Sequence, residues 1–283
     1  MSLKIWFLET RPQFLTLSVA LAFLGTSIAW YYGHFNLGHA LLAFIGLMLA
    51  HISVNTLNDY FDYRSGVDLA TRRTPFSGGS GMLPAAMMKP QQVLWLGLGS
   101  LMLALLIGIY FVIVSGWLLL PLLVVAALFI LLYTPAILKR RWPEWAAGVG
   151  LGTLPILGAF FVQTGAYTWP AVVAAIPSGM LVHNLLLLNE FPDIEADKKA
   201  SRKTLPITMG GGKASLVYSA FTLGVYLWII AWVIAGVMPA FSLLALLTLP
   251  FAIKAIRGSR QHQDMNRLVP AMASNVMIVL LIQ

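Results

Sequence analysis

The chain has 283 residues, 59% of them hydrophobic and only 10% charged, with a formal net charge of +8 and no cysteine. A soluble domain carries about 25% charged residues, so this composition cannot cover a water-facing surface and indicates a protein immersed in lipid. The lack of cysteine excludes disulfides, thiolate metal sites and cysteine nucleophiles.

A helix crossing the ~30 Å hydrocarbon core needs ~20 mostly apolar residues. Nine such runs follow one another, at residues 13 to 32, 38 to 58, 92 to 114, 117 to 138, 145 to 164, 168 to 188, 214 to 235, 238 to 256 and 267 to the end. The first is too long for a signal peptide and leads into a second apolar run rather than a cleavage site, so it reads as a spanning helix. The expectation is an all-α polytopic membrane protein, one domain over residues 1–283, with nine transmembrane helices. Gly148 and Gly152 in the fifth run have the spacing of a close helix contact.

Nine spans put the N-terminus and alternate loops on one face, and all 18 Lys and Arg fall there or at its edge. By the positive-inside rule this face is cytoplasmic. The basic excess is therefore a topology signal, and nucleic acid is not an expected partner.

All ten acidic residues share that face, which the positive-inside rule does not require. Seven of them form two clusters, Asp59, Asp62 and Asp68, then Glu190, Asp193, Glu195 and Asp197. Asn55-x-x-x-Asp59 recurs as Asn189-x-x-x-Asp193, 134 residues later. Residues four apart lie on one helix face, and Asp62 and Asp197 extend that face by a turn. An even number of crossings separates the clusters, so they emerge on the same side and can oppose each other across one cavity. Hard oxygen donors without a nearby His or Cys array suit Mg²⁺, which retains waters or substrate phosphates in its shell. Asn58 lies beside the first set. Each cluster leads into cations: Arg72 and Arg73 ahead of the Gly78-Gly79-Ser80-Gly81 stretch, and Lys198, Lys199, Arg202 and Lys203. Exposed backbone N–H groups in such a glycine stretch can line an anion. Deeper in the runs, His51 and Asn55 match His183 and Asn184 in depth, and polar groups there usually face a bundle interior.

At these residues the chain resembles the UbiA superfamily of intramembrane prenyltransferases. The resemblance is carried by Arg11-Pro12, by Asn55 to Asp68, by Tyr133-Thr134-Pro135 with Lys139-Arg140, and by Asn189 to Asp197 followed by Ser201 to Pro206. It implies nine helices around a central cavity, capped on the cytoplasmic side of the cell membrane by loops at about 59–90 and 190–213, with a lateral opening to lipid. It implies two Mg²⁺ ions, one held by Asn55, Asp59 and Asp62 and the other by Asn189, Asp193 and Asp197. Lys139, Arg72 or Arg73, Arg202 and Lys203 would contact the diphosphate of a polyprenyl donor, with Asn58 and Asp68 nearby and Tyr133 beside the reacting carbon.

Two positions depart from the common family pattern. Pro192 stands where an Arg often precedes the first Asp of the second motif, and Asp59 and Asp62 are three residues apart rather than four. The form of the first motif is similar to that of the 1,4-dihydroxy-2-naphthoate branch leading to menaquinone. Arg11 is then the expected partner of the acceptor carboxylate. Other acceptors of the superfamily are 4-hydroxybenzoate, homogentisate, chlorophyllide and glycerol phosphate lipid precursors. A membrane transporter is the reading from another class, disfavoured because the repeat here is parallel and the charges sit at one face.

Overall fold

The computed structural model describes residues 2–71 and 73–283, so Arg72 falls outside the described residues. The described chain is helical in all its regular elements: α1 Leu3–Glu9, α2 Pro12–Tyr31, α3 Leu37–Ser65, α4 Val67–Ala70, α5 Pro90–Ser115 and α6 Leu119–Leu132. These are followed by α7 Glu144–Ala147, α8 Leu154–Thr164, α9 Trp169–Asn189, α10 Ile194–Lys199, α11 Leu205–Met209, α12 Gly211–Ile234, α13 Leu249–Arg260 and α14 Met265–Ile282.

Among the described residues, eight helical segments are long and apolar enough to cross a membrane. One joins α7 to α8 through a π-helical turn, Gly148–Thr153, and another enters α13 from the 3₁₀ segment Ala240–Thr248. The remaining expected span, the fourth, 117 to 138, is helical only over Leu119–Leu132, 14 residues. At 1.5 Å per residue that is ~21 Å, short of the hydrocarbon core. The reason is local. Pro135 disfavours helical geometry at Thr134, and the chain leaves the helix at Tyr133 for a turn and the short 3₁₀ segment Ile137–Lys139.

The longest helix is α3, whose 29 residues give it ~44 Å, well beyond the hydrocarbon thickness. Its last turns carry Asp59 and Asp62. It ends at Gly66, where φ is +80°, a conformation that suits glycine. Helix α3 thus runs seven residues beyond the expected span.

Helices α9, α12 and α14 pack into one buried apolar core around Leu181, Leu187, Tyr218, Val225, Leu268 and Ile278. Outer faces such as Trp95 and Ile113 on α5 are exposed, as lipid-facing residues are. The π turn packs backbone to backbone on α9. A Cβ on Gly152 would lie 2.6 Å from Ser178 O and 2.7 Å from Gly179 Cα, where nothing can yield. Gly152→Ala should therefore lower stability by about 1–3 kcal/mol, read as a fall in melting temperature in detergent. An unchanged melting temperature would mean that the two helices can separate freely.

Candidate active site

Between α2, α3, α5, α6, α8 and α9 lies a cavity of about 400 Å³. Leu105, Phe111, Leu119, Leu122, Leu123 and Gly158 are among its apolar lining residues, and its polar lining includes Asn55, Asp62, Asp68, Asn189, Asp193 and Asp197. Asn58, Arg11, Arg202 and Tyr133 also line it. The chamber thus couples a charged end to a long apolar trough.

The first motif keeps its helical face through Asp62. Asn55 donates to Thr10 O at 3.0 Å, and Asn58 donates to Asp62 Oδ2 and Thr134 Oγ1, each at 3.0 Å. Arg11 donates to Asn58 Oδ1 at 3.0 Å and forms an ion pair with Asp59. Its own backbone is left-handed, with φ +55°, just ahead of Pro12. Asp59 is 1% exposed and stands behind Arg11, outside the cavity lining, and its Oδ2 accepts the Ser80 N–H at 2.9 Å. The glycine stretch therefore folds back onto the motif. At Gly79, φ is +69°, and a Cβ would lie 3.0–3.2 Å from Asp59 Oδ1, Asp68 Oδ2 and Arg11 Nη2, so the bare backbone is what lets the loop approach. Arg73 clasps the loop from outside, donating to Ser80 O at 2.5 Å and Gly79 O at 3.2 Å. With Arg11 and Gln13 it lines a second, smaller pocket.

The second motif departs from the expected continuous helix. Pro192 has no N–H to donate, α9 ends at Asn189, and the chain turns through Glu190–Asp193 before α10 starts at Ile194. The pair Asn189 and Asp193 is thus brought together by a turn rather than by i,i+4 stacking. Asp197 Oδ1 accepts from Arg202 Nη1 at 2.8 Å, and Arg202 Nη2 pairs with Asp62. One guanidinium therefore bridges the two motifs. Burial raises the carboxyl of Asp193 to about 7, helped by the charge of Asp197 and opposed by Arg202. Asp68 and Asp197 are each pushed up to about 6, burial being the first cause for both. Asp193 Oδ1 and Asp68 Oδ2 are buried without a hydrogen-bond partner. The site is crowded with carboxylates that lack sufficient positive charge.

That donor set suits a hard divalent cation. Among the described residues no three acidic or histidine side chains converge into a ready-made shell. Mg²⁺ does not need one, since it is commonly bound through one or two carboxylates with substrate phosphate and water completing the octahedron.

Lys139 and Lys203 are exposed and lie outside the cavity lining, although Lys203 N–H donates to Leu138 O at 2.9 Å and so keeps the two segments together. His51 lines the cavity, its Nδ1 2.8 Å from Ser18 Oγ. His183 instead accepts from Trp142 Nε1 at 2.8 Å and stacks on Phe221, a packing arrangement. Sequence reasoning assigned no role to Glu9 or Glu144, counted Glu190 only among the acids of the second cluster and took Ser80 only as part of the glycine stretch. Glu9 is fully buried and accepts the Ser80 hydroxyl at 2.6 Å, which fastens the glycine loop to α1. Its one visible signal was an acid two residues before Arg11, directly after the apolar run Ile5 to Leu8.

The fold and the paired motifs define a class. A model of the UbiA prenyltransferase family matches residues 18–276, and the chain belongs to that family. It is 32% identical over 269 residues to the 1,4-dihydroxy-2-naphthoate octaprenyltransferase of Bacillus subtilis, covering 94% of this chain and 85% of that protein. With the enzyme of the same name from Escherichia coli it shares 26% identity, over 96% of this chain and 90% of that one. In fold it is similar to a UbiA homologue from Aeropyrum pernix, with a TM-score of 0.68 at 16% identity and coverage of 94% and 95%. A UbiA homologue from Archaeoglobus fulgidus, solved with GPP and Mg²⁺, gives 0.65 at 15% identity and coverage of 97% and 96%.

Proposed function

We propose that this prenyltransferase moves a prenyl group from a polyprenyl diphosphate to 1,4-dihydroxy-2-naphthoate, a step of menaquinone synthesis, in the plasma membrane with its site on the cytoplasmic side. The observation that carries the reading is the pair of carboxylate motifs opposed across one cavity whose remaining walls are apolar. The naphthoate follows from the relatives that bear that name over nearly their whole length.

Asn55 and Asp62 would hold one Mg²⁺, joined by Asp59 once the incoming diphosphate draws Arg11 away from it, and Asn189, Asp193 and Asp197 would hold a second. Bound there, the ions would neutralise the diphosphate as a leaving group. Arg11 and Arg202, which now neutralise Asp59, Asp62 and Asp197, add fixed positive charge where that leaving group develops its own. Arg73 holds the glycine loop against this end, and Lys139, Lys203 and Arg72 would serve as outer phosphate contacts. Asn58 and Asp68 position the first set. Arg11 Nε, buried and without a partner, is the donor available to the acceptor carboxylate. Tyr133 lines the same cavity and offers its ring to an allyl cation, an interaction of ~0.5–2 kcal/mol. The apolar walls exclude water from that cation and receive the prenyl tail.

Purified protein given a labelled polyprenyl diphosphate, Mg²⁺ and a panel of acceptors should prenylate the naphthoate. Turnover of 4-hydroxybenzoate, homogentisate or a glycerol phosphate in its place would overturn the acceptor assignment.

We read the short α6, together with the turns after Leu132, as a ninth crossing, which would put both cap loops on one side. Because the chain has no cysteine, single introduced cysteines report this directly. Membrane-impermeant labels should reach Ser77→Cys and Ser201→Cys from the cytoplasm, and Asn36→Cys and Thr168→Cys from the opposite face. Labelling of positions 77 and 168 from the same face would contradict nine spans.

A further inference from the structure

Beyond the two aspartate motifs, three elements bring a separate polar group to the cavity. Tyr133 closes α6, Glu144 opens α7 and Glu190 follows α9. Glu144 is fully buried and Glu190 is 6% exposed. Glu144 Oε1 accepts the Leu205 N–H at 2.6 Å, which anchors it at the start of α11. Its Oε2, both oxygens of Glu190 and the Tyr133 hydroxyl are buried with no donor or acceptor from the protein. Glu144 and Glu190 lie near enough for their charges to act on one another. Tyr133 and Glu190 line the cavity, whereas Glu144 does not and stands behind them.

Buried carboxylate oxygens without donors are costly, and the single Tyr133 O–H can serve only one of the three, so donors for the others are to be sought in what enters the cavity. A prenyl diphosphate does not supply them. Its head offers oxygen acceptors and its tail has no polar hydrogen. A phenolic acceptor carries O–H donors. In 1,4-dihydroxy-2-naphthoate the 1-hydroxyl is adjacent to the carboxylate and donates internally, which leaves the 4-hydroxyl free. Unlike Asp59, Asp62 and Asp197, Glu190 forms no ion pair with an arginine among the described residues.

We propose that Glu190, backed by Glu144 and flanked by the Tyr133 hydroxyl, accepts a hydrogen bond from the free ring hydroxyl of the aromatic acceptor and thereby selects dihydroxylated rings. The proposal rests on the naphthoate reading above. It adds a hydroxyl-recognising corner to the site, distinct from the aspartates and arginines at its diphosphate end.

The test uses the full-length protein with Mg²⁺ and a non-ionising prenyl thiolodiphosphate. Binding of 1,4-dihydroxy-2-naphthoate is compared with that of 1-hydroxy-2-naphthoate, which lacks the free hydroxyl. The wild-type chain should prefer the dihydroxy ring by about fivefold or more, the effect of leaving a buried acceptor without its donor. Glu190→Ala should bind both rings with the weaker affinity, and its Mg²⁺-dependent binding of the thiolodiphosphate should stay within about twofold of wild type. Should that variant fail to fold, Glu190→Gln, which keeps the shape, should show a reduced preference. Equal wild-type affinity for the two rings, or an undiminished preference in the variants, would overturn the proposal. Loss of Mg²⁺-dependent thiolodiphosphate binding in Glu190→Ala would overturn it too, by placing Glu190 in the cation set. Wild-type protein that binds neither naphthoate would defeat the acceptor reading itself, and this proposal with it.

Discussion

Asp193→Ala should slow prenyl transfer by about 10²- to 10³-fold, the scale on which removing one electrostatic contact to a developing charge acts. Stability should not fall with activity. Asp193 Oδ1 is buried without a hydrogen-bond partner, and burial, with Asp197 beside it, raises its carboxyl to about 7. A group that is unfavourable in the folded chain at neutral pH can be removed without loss of stability, so the melting temperature of the magnesium-free protein should hold or rise. A variant that transfers at wild-type rate would remove Asp193 from the site, and one that melts far lower would make it a structural residue.

Arg202→Ala should have the opposite signature in the absence of magnesium. The guanidinium bridges Asp62 and Asp197, with side-chain exposures of 11% for Arg202, 8% for Asp62 and 3% for Asp197. Removing one partner of a buried ion pair leaves the other charges uncompensated, at about 3–5 kcal/mol. The loss should appear as a large fall in melting temperature in EDTA. Magnesium should recover part of it, since a cation bound by the folded site stabilises that state. Arg202→Lys keeps the charge but not the planar fork that serves two carboxylates, so it should fall between wild type and Arg202→Ala. Equal melting of Arg202→Ala and wild type in EDTA would show that the bridge contributes nothing to the fold.

The spans were legible because a run of ~20 apolar residues is a compositional signal that survives ignorance of packing. It overreached at α6, where the run continues through Tyr133-Thr134-Pro135 but the helix does not. The first motif was legible as a helix face because no residue between Asn55 and Asp62 interrupts it. For the second, the same four-residue spacing suggested a continuous helix, and Pro192 replaced it with a turn. The cation bridging the motifs comes from Arg202, ten residues after the position where the family often has an Arg. A contact between Asp62 and Arg202, 140 residues apart, depends on tertiary packing that local spacing does not encode. Glu190 was counted among the second cluster's acids. Only its burial and lack of a donor separate it from the solvated Glu195 beside Lys198.

The central claim is that the two motifs act together on one Mg²⁺-bound diphosphate. Titrating a non-ionising prenyl thiolodiphosphate into the purified protein tests this without catalysis, with and without Mg²⁺ and in Asp62→Asn and Asp193→Asn. The account predicts tight binding only with Mg²⁺, weakened by more than about tenfold when either motif is altered. Binding that persists in EDTA, or that is insensitive to one of the two substitutions, would contradict it.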